Sequence, residues 1–203
     1  MKKYLKAEAA VALGLVISIV VSIVSFAAEC VNVREDVVRL HILANSDSGE
    51  DQAVKLLVRD ALLECGSELF SGAVTVERAT KVLQENAGDL IAVAEKVLHE
   101  NGFDYGVTIT LTTEYFSTRS YEEFTLPAGE YLAVRVLLGE GEGHNWWCVM
   151  FPPLCLPAAS KNTDLDAVFG ESGAEIVKTQ GKYEMRFKIV EIFEKLKEKI
   201  SDL

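Results

Sequence analysis

Histidine, proline, tryptophan and cysteine are all scarce: three, four, two and four in 203 residues. Three scattered histidines make no metal cluster. The C-x₆-C spacing of Cys148 and Cys155 lacks the close pair that structural zinc sites use. No D-T-G, H-E-x-x-H or Ser/His/Asp motif occurs. Positive charge is short as well. The net charge of −11 leaves no surplus to replace phosphate counterions, which argues against nucleic acid as a partner. Neither a metal nor a cofactor is expected. What is present suits a packed protein, with 49% hydrophobic and 25% charged residues. A chain of this length is one domain, or one domain with appendages.

"GEGEGHN" (139–145) has the outline of a phosphate loop and fails as one. The third glycine of G-x-G-x-x-G falls on His144, and Glu140 and Glu142 would repel a phosphate. It reads as a flexible hairpin-type turn.

The N-terminus is not part of the fold by this reading. Lys2, Lys3 and Lys6 precede twenty uncharged residues, Ala9 to Ala28. A basic start and an apolar run read as an export signal, with Ser25 and Ala27 as small residues before a cut after Ala27. Twenty apolar residues also span a bilayer, so an uncleaved anchor is the rival. In both cases residues 29–203 lie outside the cytoplasm. Glu29 before Cys30 speaks against lipoprotein processing. Without residues 1–28, which hold three lysines and Glu8, the charge is about −13. Export permits disulfides, and four cysteines allow three pairings. Cys148 and Cys155 lie close together around Pro152 and Pro153.

The periodicity predicts an α+β fold: a small mixed or antiparallel sheet with helices packed on one face. "VVRLHILANS" (37–46) alternates, with Val38, Leu40, Ile42 and Ala44 on one face and Arg39, His41, Leu43 and Asn45 on the other. A helix follows from about Gly49 to Cys65, with Ser48 and Asp51 at capping-box spacing, a stripe of Val54, Leu57, Val58 and Ala61, and Gly66 as its stop. A second helical region spans Val76 to His99, with Gly88 as a break. "YGVTITLTT" (105–113) and "EYLAVRVLL" (130–138) alternate as neighbouring antiparallel strands, and "WWCVMF" is a further short strand. Residues 156–181 read as a loose connection, and 185–200 as an amphipathic helix with Ile189, Phe193, Leu196 and Ile200 on one stripe. The domains expected are a signal or anchor (1–28), an α+β domain (29–155), and the connection with the C-terminal helix (156–203).

Two stretches invite a functional reading. Arg39, Asn45, Ser46 and Asp47 sit at a strand-to-helix junction, which is either a capped polar corner or a partner-binding surface. Trp146 and Trp147 are consecutive, and strand alternation admits one of them to the core. The other is then exposed, as an anchor for a partner, or covered by the following connection. A catalytic Cys148 beside His144 or His41 is a further reading. A disulfide between Cys148 and Cys155 is preferred to it in an oxidising compartment.

"VRLHILANSDSGEDQAVKLLVRDAL" (38–62) and "LPAGEYLAVRVLLGEGEGHNWWCVMFPPLC" (126–155), behind an export segment, resemble the stage II sporulation protein R family over residues 1–155. The resemblance implies a secreted signal, not an enzyme. It is made in the forespore, exported to the space between the two membranes, and activates a membrane-embedded aspartic protease that processes the pro-form of the sporulation sigma-E factor. The surface expected to engage that protease is Asn145, Trp146, Trp147, Phe151, Pro152 and Pro153, with Asn45, Ser46 and Asp47 as a second patch and Arg39 beside it. An exported thiol-dependent hydrolase using Cys148 and His144 is the alternative.

Overall fold

The computed structural model describes residues 2–73, 75–121, 124–154, 165–178 and 183–201. In chain order these form α1 (Lys2–Glu35), β1 (Val38–Leu43), α2 (Gly49–Leu69), α3 (Val76–Glu85), α4 (Ala87–Glu100), β2 (Val107–Phe116), β3 (Arg119–Ser120), β4 (Thr125–Leu126), β5 (Gly129–Leu138), β6 (Asn145–Phe151), α5 (Leu165–Lys178) and α6 (Glu184–Ser201). The fold is α+β around a mixed four-stranded sheet of order β2-β5-β1-β6.

β1 lies at the centre, parallel to β5 and antiparallel to β6. β2 closes one side, antiparallel to β5 over ten residue pairs. β5 and β6 are therefore not neighbours. Residues 139–144, expected as a hairpin turn, instead cross over the end of β1.

Helices α2, α3 and α4 cover one face. Val38, Leu40 and Ile42 of β1 and Val134, Val136 and Leu138 of β5 meet Val54, Val58, Leu62, Leu90 and Leu98 there. Ser48 caps α2 by accepting from the Asp51 N–H at 3.1 Å, as its spacing predicts. Two details of α2 differ from expectation. Leu57 points to solvent at 47% exposure, because the buried face steps by four residues through Val54, Val58 and Leu62. Gly66 does not stop the helix, which runs on to Leu69. It lies inside, where a Cβ would stand 3.1 Å from Met150 Cε. The break between α3 and α4 falls at Asn86 rather than Gly88, since the Asn86 side chain donates to the Val82 carbonyl at 2.8 Å.

The other face is covered in part by a second layer. Val33 of α1, Phe124 and Leu126 beside and on β4, and Phe169, Ala174 and Val177 of α5 pack on Tyr131, Ala133 and Val149. Residues 165–178 thus form a helical element, kinked at Gly170 (φ +66°), and not a loose connection. Its small residues hide the periodicity, yet smallness is what lets it dock: a Cβ on Gly173 would stand 3.2 Å from Val33. This layer also overturns the expectation for Arg39. A central strand covered on both sides buries its polar positions too, and Arg39 is 0% exposed. Its Nε donates to the Cys148 carbonyl (2.9 Å) and its Nη2 to the Tyr121 hydroxyl (2.8 Å), while the guanidinium sits 4.2 Å from the Phe116 ring centroid. Arg39 is a core residue and not part of the exposed surface.

α1 is one continuous helix. Its stretch Glu8–Glu35 is long and apolar enough to cross a membrane by length and composition. α1 contributes to the core from before residue 29, because Phe26 is buried together with Cys30 and Val33. Phe26 and Cys30 meet Ile176 of α5 and Phe187 and Val190 of α6. α6 is amphipathic, but the stripe of Ile189, Phe193, Leu196 and Ile200 lies outward, and the face bearing Phe187 and Val190 holds the helix to α1.

Candidate functional site

At the end of β1, the chain from Ala44 to Asp47 meets the 139–144 crossover and the first turn of α2. Asp51 is the hub. It is 5% exposed and accepts from Ser46 Oγ (2.5 Å), Asn45 Nδ2 (3.0 Å) and the Tyr105 hydroxyl (2.8 Å). Burial pushes its carboxyl up. The hydrogen bonds from Ser46, Asn45, Tyr105 and Ser48 outweigh that and hold it below the ordinary value. The Tyr105 hydroxyl is pushed up by burial and by the Asp51 charge it faces.

A second buried charge fastens the crossover. Lys55 is 3% exposed and donates to Gln52 Oε1 (2.6 Å) and the His144 carbonyl (2.7 Å). Desolvation lowers its pKa, and Asp47 offsets part of that. Backbone bonds complete the clamp: Gly143 N–H to the Ala44 carbonyl (2.8 Å), Glu142 N–H to the Asn45 carbonyl (3.2 Å) and Glu140 N–H to Asn45 Oδ1 (3.0 Å). Glycine is required here. A Cβ on Gly143 would stand 2.2 Å from the Ser46 carbonyl oxygen, and Gly139, at φ +56°, would meet Asn45 Oδ1 at the same distance.

The clamp holds an exposed tip. Asp47 Oδ1 accepts from the His144 N–H at 2.7 Å and also pairs with its imidazole, and both side chains are more than half exposed. Asn145 follows, exposed, with Oδ1 2.7 Å from His41 Nε2. His41 leads onto the part of the sheet that the second layer leaves open. Its Nδ1 lies 2.6 Å from Glu114 Oε2, Glu114 pairs with Arg135 at 3.4 Å, and Trp147 stacks on its ring.

Neither tryptophan is fully exposed. Trp146 is half-buried on the helix side, with the Arg59 guanidinium 4.6 Å from its ring centroid. Trp147 is half-buried on the open side against His41 and Phe116. β6 is an edge strand, so each of its faces offers one incomplete site. The structure brings Asn45, Ser46 and Asp47 together with His144, Asn145 and Trp147. It does not bring Phe151, Pro152 and Pro153 to them, because β6 separates its two ends by roughly 20 Å. Phe151 is 7% exposed against Phe70, and Pro152 is buried.

Cys148 and His144 do not meet. Cys148 is 4% exposed in the helix-side core, while His144 reaches into solvent. Cys30 and Cys65 are free thiols, and Cys148 is not among them. Cys155 lies outside the described residues. Burial, Glu68 and Asp89 raise the Cys65 pKa, which keeps it a thiol and a poor nucleophile. Among the described residues no three His, Cys, Asp or Glu side chains gather as a metal site. The arrangement is built to present a fixed polar and aromatic surface. Lys55 is near the junction in the sequence, as an i,i+4 partner of Asp51 or part of a binding surface, whereas sequence reasoning missed Tyr105, Glu114 and Arg135 as site residues. Arg135 alone carried a signal, as the one charge within the apolar run of β5.

The family model for stage II sporulation protein R matches residues 34–161, which contain the whole clamp and both tryptophans. Stage II sporulation protein R of Bacillus subtilis (strain 168) is 36% identical over 123 residues, covering 61% of this chain and 55% of that protein. The alignment therefore spans little more than half of that relative's length. No solved structure matches. The chain belongs to the stage II sporulation protein R family.

Proposed function

We propose that the protein is an exported signal of sporulation that activates a membrane-embedded aspartic protease, which then processes the pro-form of the sigma-E factor. The observation that carries this is the clamp-held tip of Asp47, His144 and Asn145. Two buried charges and two obligate glycines are spent on fixing side chains that are themselves exposed. A preorganised surface lowers the entropy cost of binding. The apolar α1 fits the export signal or anchor the role requires. A disulfide between Cys148 and Cys155, formed after export, would further stiffen the segment behind the tip, and in that role the protein supplies no catalytic group of its own.

The test is processing of the sigma factor in cells that co-express this protein and the membrane protease without other sporulation proteins. Processing is expected with the natural chain. It is expected to fall at least tenfold with Asp47→Ala or His144→Ala, both of which should fold normally because the residues are exposed. Normal processing by both variants would sink the assignment of this tip as the contact. No processing by the natural chain would sink the role itself.

A further inference from the structure

One edge of the sheet is β2, whose ten residues pair with β5 without a register shift. In an antiparallel ladder, alternate residues turn both backbone groups toward the partner. Just before the strand, the Gly106 carbonyl accepts from the Gly139 N–H on the β5 side. The same parity aims the even-numbered residues at β5. The N–H and C=O groups of Val107, Ile109, Leu111 and Thr113 then point away from it, and among the described residues no other backbone bond involves them.

Natural edges of this length are protected by lysine, proline, a bulge or an inward charge. β2 reads "VTITLTTEYF", with no lysine, arginine or proline. It has no bulge, and its one charge, Glu114, is committed to His41 and Arg135 on the open face. Beside the edge, on the helix face, lies a mostly apolar trough of about 220 Å³ lined by Leu83, Gln84, Ala87, Leu90, Ile109, Leu111 and Val134. An added strand would complete the backbone ladder and drop alternate side chains at this trough.

We propose that the added strand is β2 of a second copy, paired antiparallel to make one continuous eight-stranded sheet. The occupant needs apolar residues at one parity and neutral polar residues at the other, and β2 has that pattern. A two-fold axis at Leu111, the middle of the strand, keeps parity: Leu111 faces the second copy's Leu111, Ile109 faces its Thr113, and Thr110 faces its Thr112. Apolar and Thr–Thr cross-strand pairs are favourable ones. Glu114 faces Thr108, so no like charges meet. This assembly is independent of the signalling role proposed above.

The test is the mass of the full chain in detergent, by light scattering with the detergent subtracted. The natural chain is expected to hold two copies per particle. Thr113→Pro separates the edge from the fold. The Thr113 N–H points away from β5, so proline removes no bond within one copy, and proline is tolerated at such positions. Across the two-fold it removes two bonds. Thr113→Lys, at an exposed position, adds a charge to each side of the interface. Both variants are expected to keep the natural far-UV spectrum, to run as single copies, and to pair at least tenfold more weakly. A single-copy natural chain at tens of micromolar overturns the proposal, including the case in which its edge captures an extended peptide instead. A pair that survives Thr113→Lys overturns it too, since the contact would then lie elsewhere, for instance between two copies of α1. Should Thr113→Pro fail to fold, the lysine variant decides alone.

Discussion

Trp147 lies flat on His41, with ring centroids 3.6 Å apart and planes 19° apart, across directly paired positions of β6 and β1. The stack closes one side of a row that continues through Glu114 to Arg135. It also ties the exposed Asn145 to the centre of the sheet, because Asn145 bonds the same imidazole from its other nitrogen. The exposed tip and the core that fixes it therefore share one histidine.

Replacing Trp147 with alanine is expected to cost more stability than replacing Trp146. Trp147 makes two ring contacts, with His41 and Phe116, each worth roughly 0.5–1.5 kcal/mol beyond area burial. Trp146 carries one cation–π contact, with Arg59, worth roughly 0.5–1 kcal/mol at a half-exposed site. Thermal unfolding of the two variants checks the order. The reverse order would show that the helix-side packing of Trp146 dominates.

The sequence made the strands and their facing residues legible, because alternation survives where one face is buried. Val134, Val136 and Leu138 meet Leu40 and Ile42 as their spacing implies. It failed where burial is two-sided. Arg39 alternates as a surface residue would, and aromatic residues from distant segments, Phe116, Tyr121 and Tyr131, enclose it. The clamp was half legible. Ser48 and Asp51 stood out as a cap, but Asp51 holding Asn45, Ser46 and Tyr105 together depends on a tyrosine 54 residues away. No local pattern announces that. The helix at 165–178 was hidden for a different reason, since its two glycines lower helix propensity while Gly173 permits close approach to α1.

Acid is expected to destabilise the protein through Asp51. Its folded pKa lies below the unfolded value of about 3.9. The sign follows from linkage: stability from this group is fully present above the unfolded pKa and is lost as pH falls through the folded one. Asp51→Asn removes that acid limb. At neutral pH it should also lose roughly 1.5–3 kcal/mol, the worth of a hydrogen bond to a charged group. Chemical denaturation at a series of pH values measures both effects. Parallel profiles for the two proteins would rule out Asp51 as the source.

Two shortened chains separate anchor from fold. A chain starting at Glu29 keeps Cys30 and Val33 but loses Phe26, which packs on Tyr183 and Phe187. Its sheet should stay folded while α6 becomes readily cleaved near Tyr183. A chain starting at Val37 also loses Val33 from the second layer. Burial of such a side chain is worth roughly 1.5–3 kcal/mol, so its melting temperature should fall by a further ~3–12 °C at about 2–4 °C per kcal/mol. Limited proteolysis and thermal unfolding read these effects. Equal stability of the two chains would place the start of the fold at Val37.

Gly143→Ala tests whether the clamp, rather than the bare sequence of the tip, is what the partner needs. A Cβ there meets the Ser46 carbonyl oxygen at 2.2 Å and the Ala44 Cβ at 2.9 Å. Backbone cannot rotate aside as a side chain does, so the crossover must lift from the 44–47 segment. Overpacking of this kind costs roughly 1–3 kcal/mol, small enough to leave most of the chain folded. The bonds that lift with it are Gly143 to Ala44, Glu142 to Asn45 and Lys55 to the His144 carbonyl. Asp47 and His144 remain in the chain but lose their fixed spacing. Sigma-factor processing should fall by more than the folded fraction does, while Gly141→Ala, whose Cβ meets only the flexible Leu137 side chain at 2.9 Å though its φ of +67° adds strain, should fall less. Processing that tracks the folded fraction in both variants would mean that the partner reads residues and not their spacing.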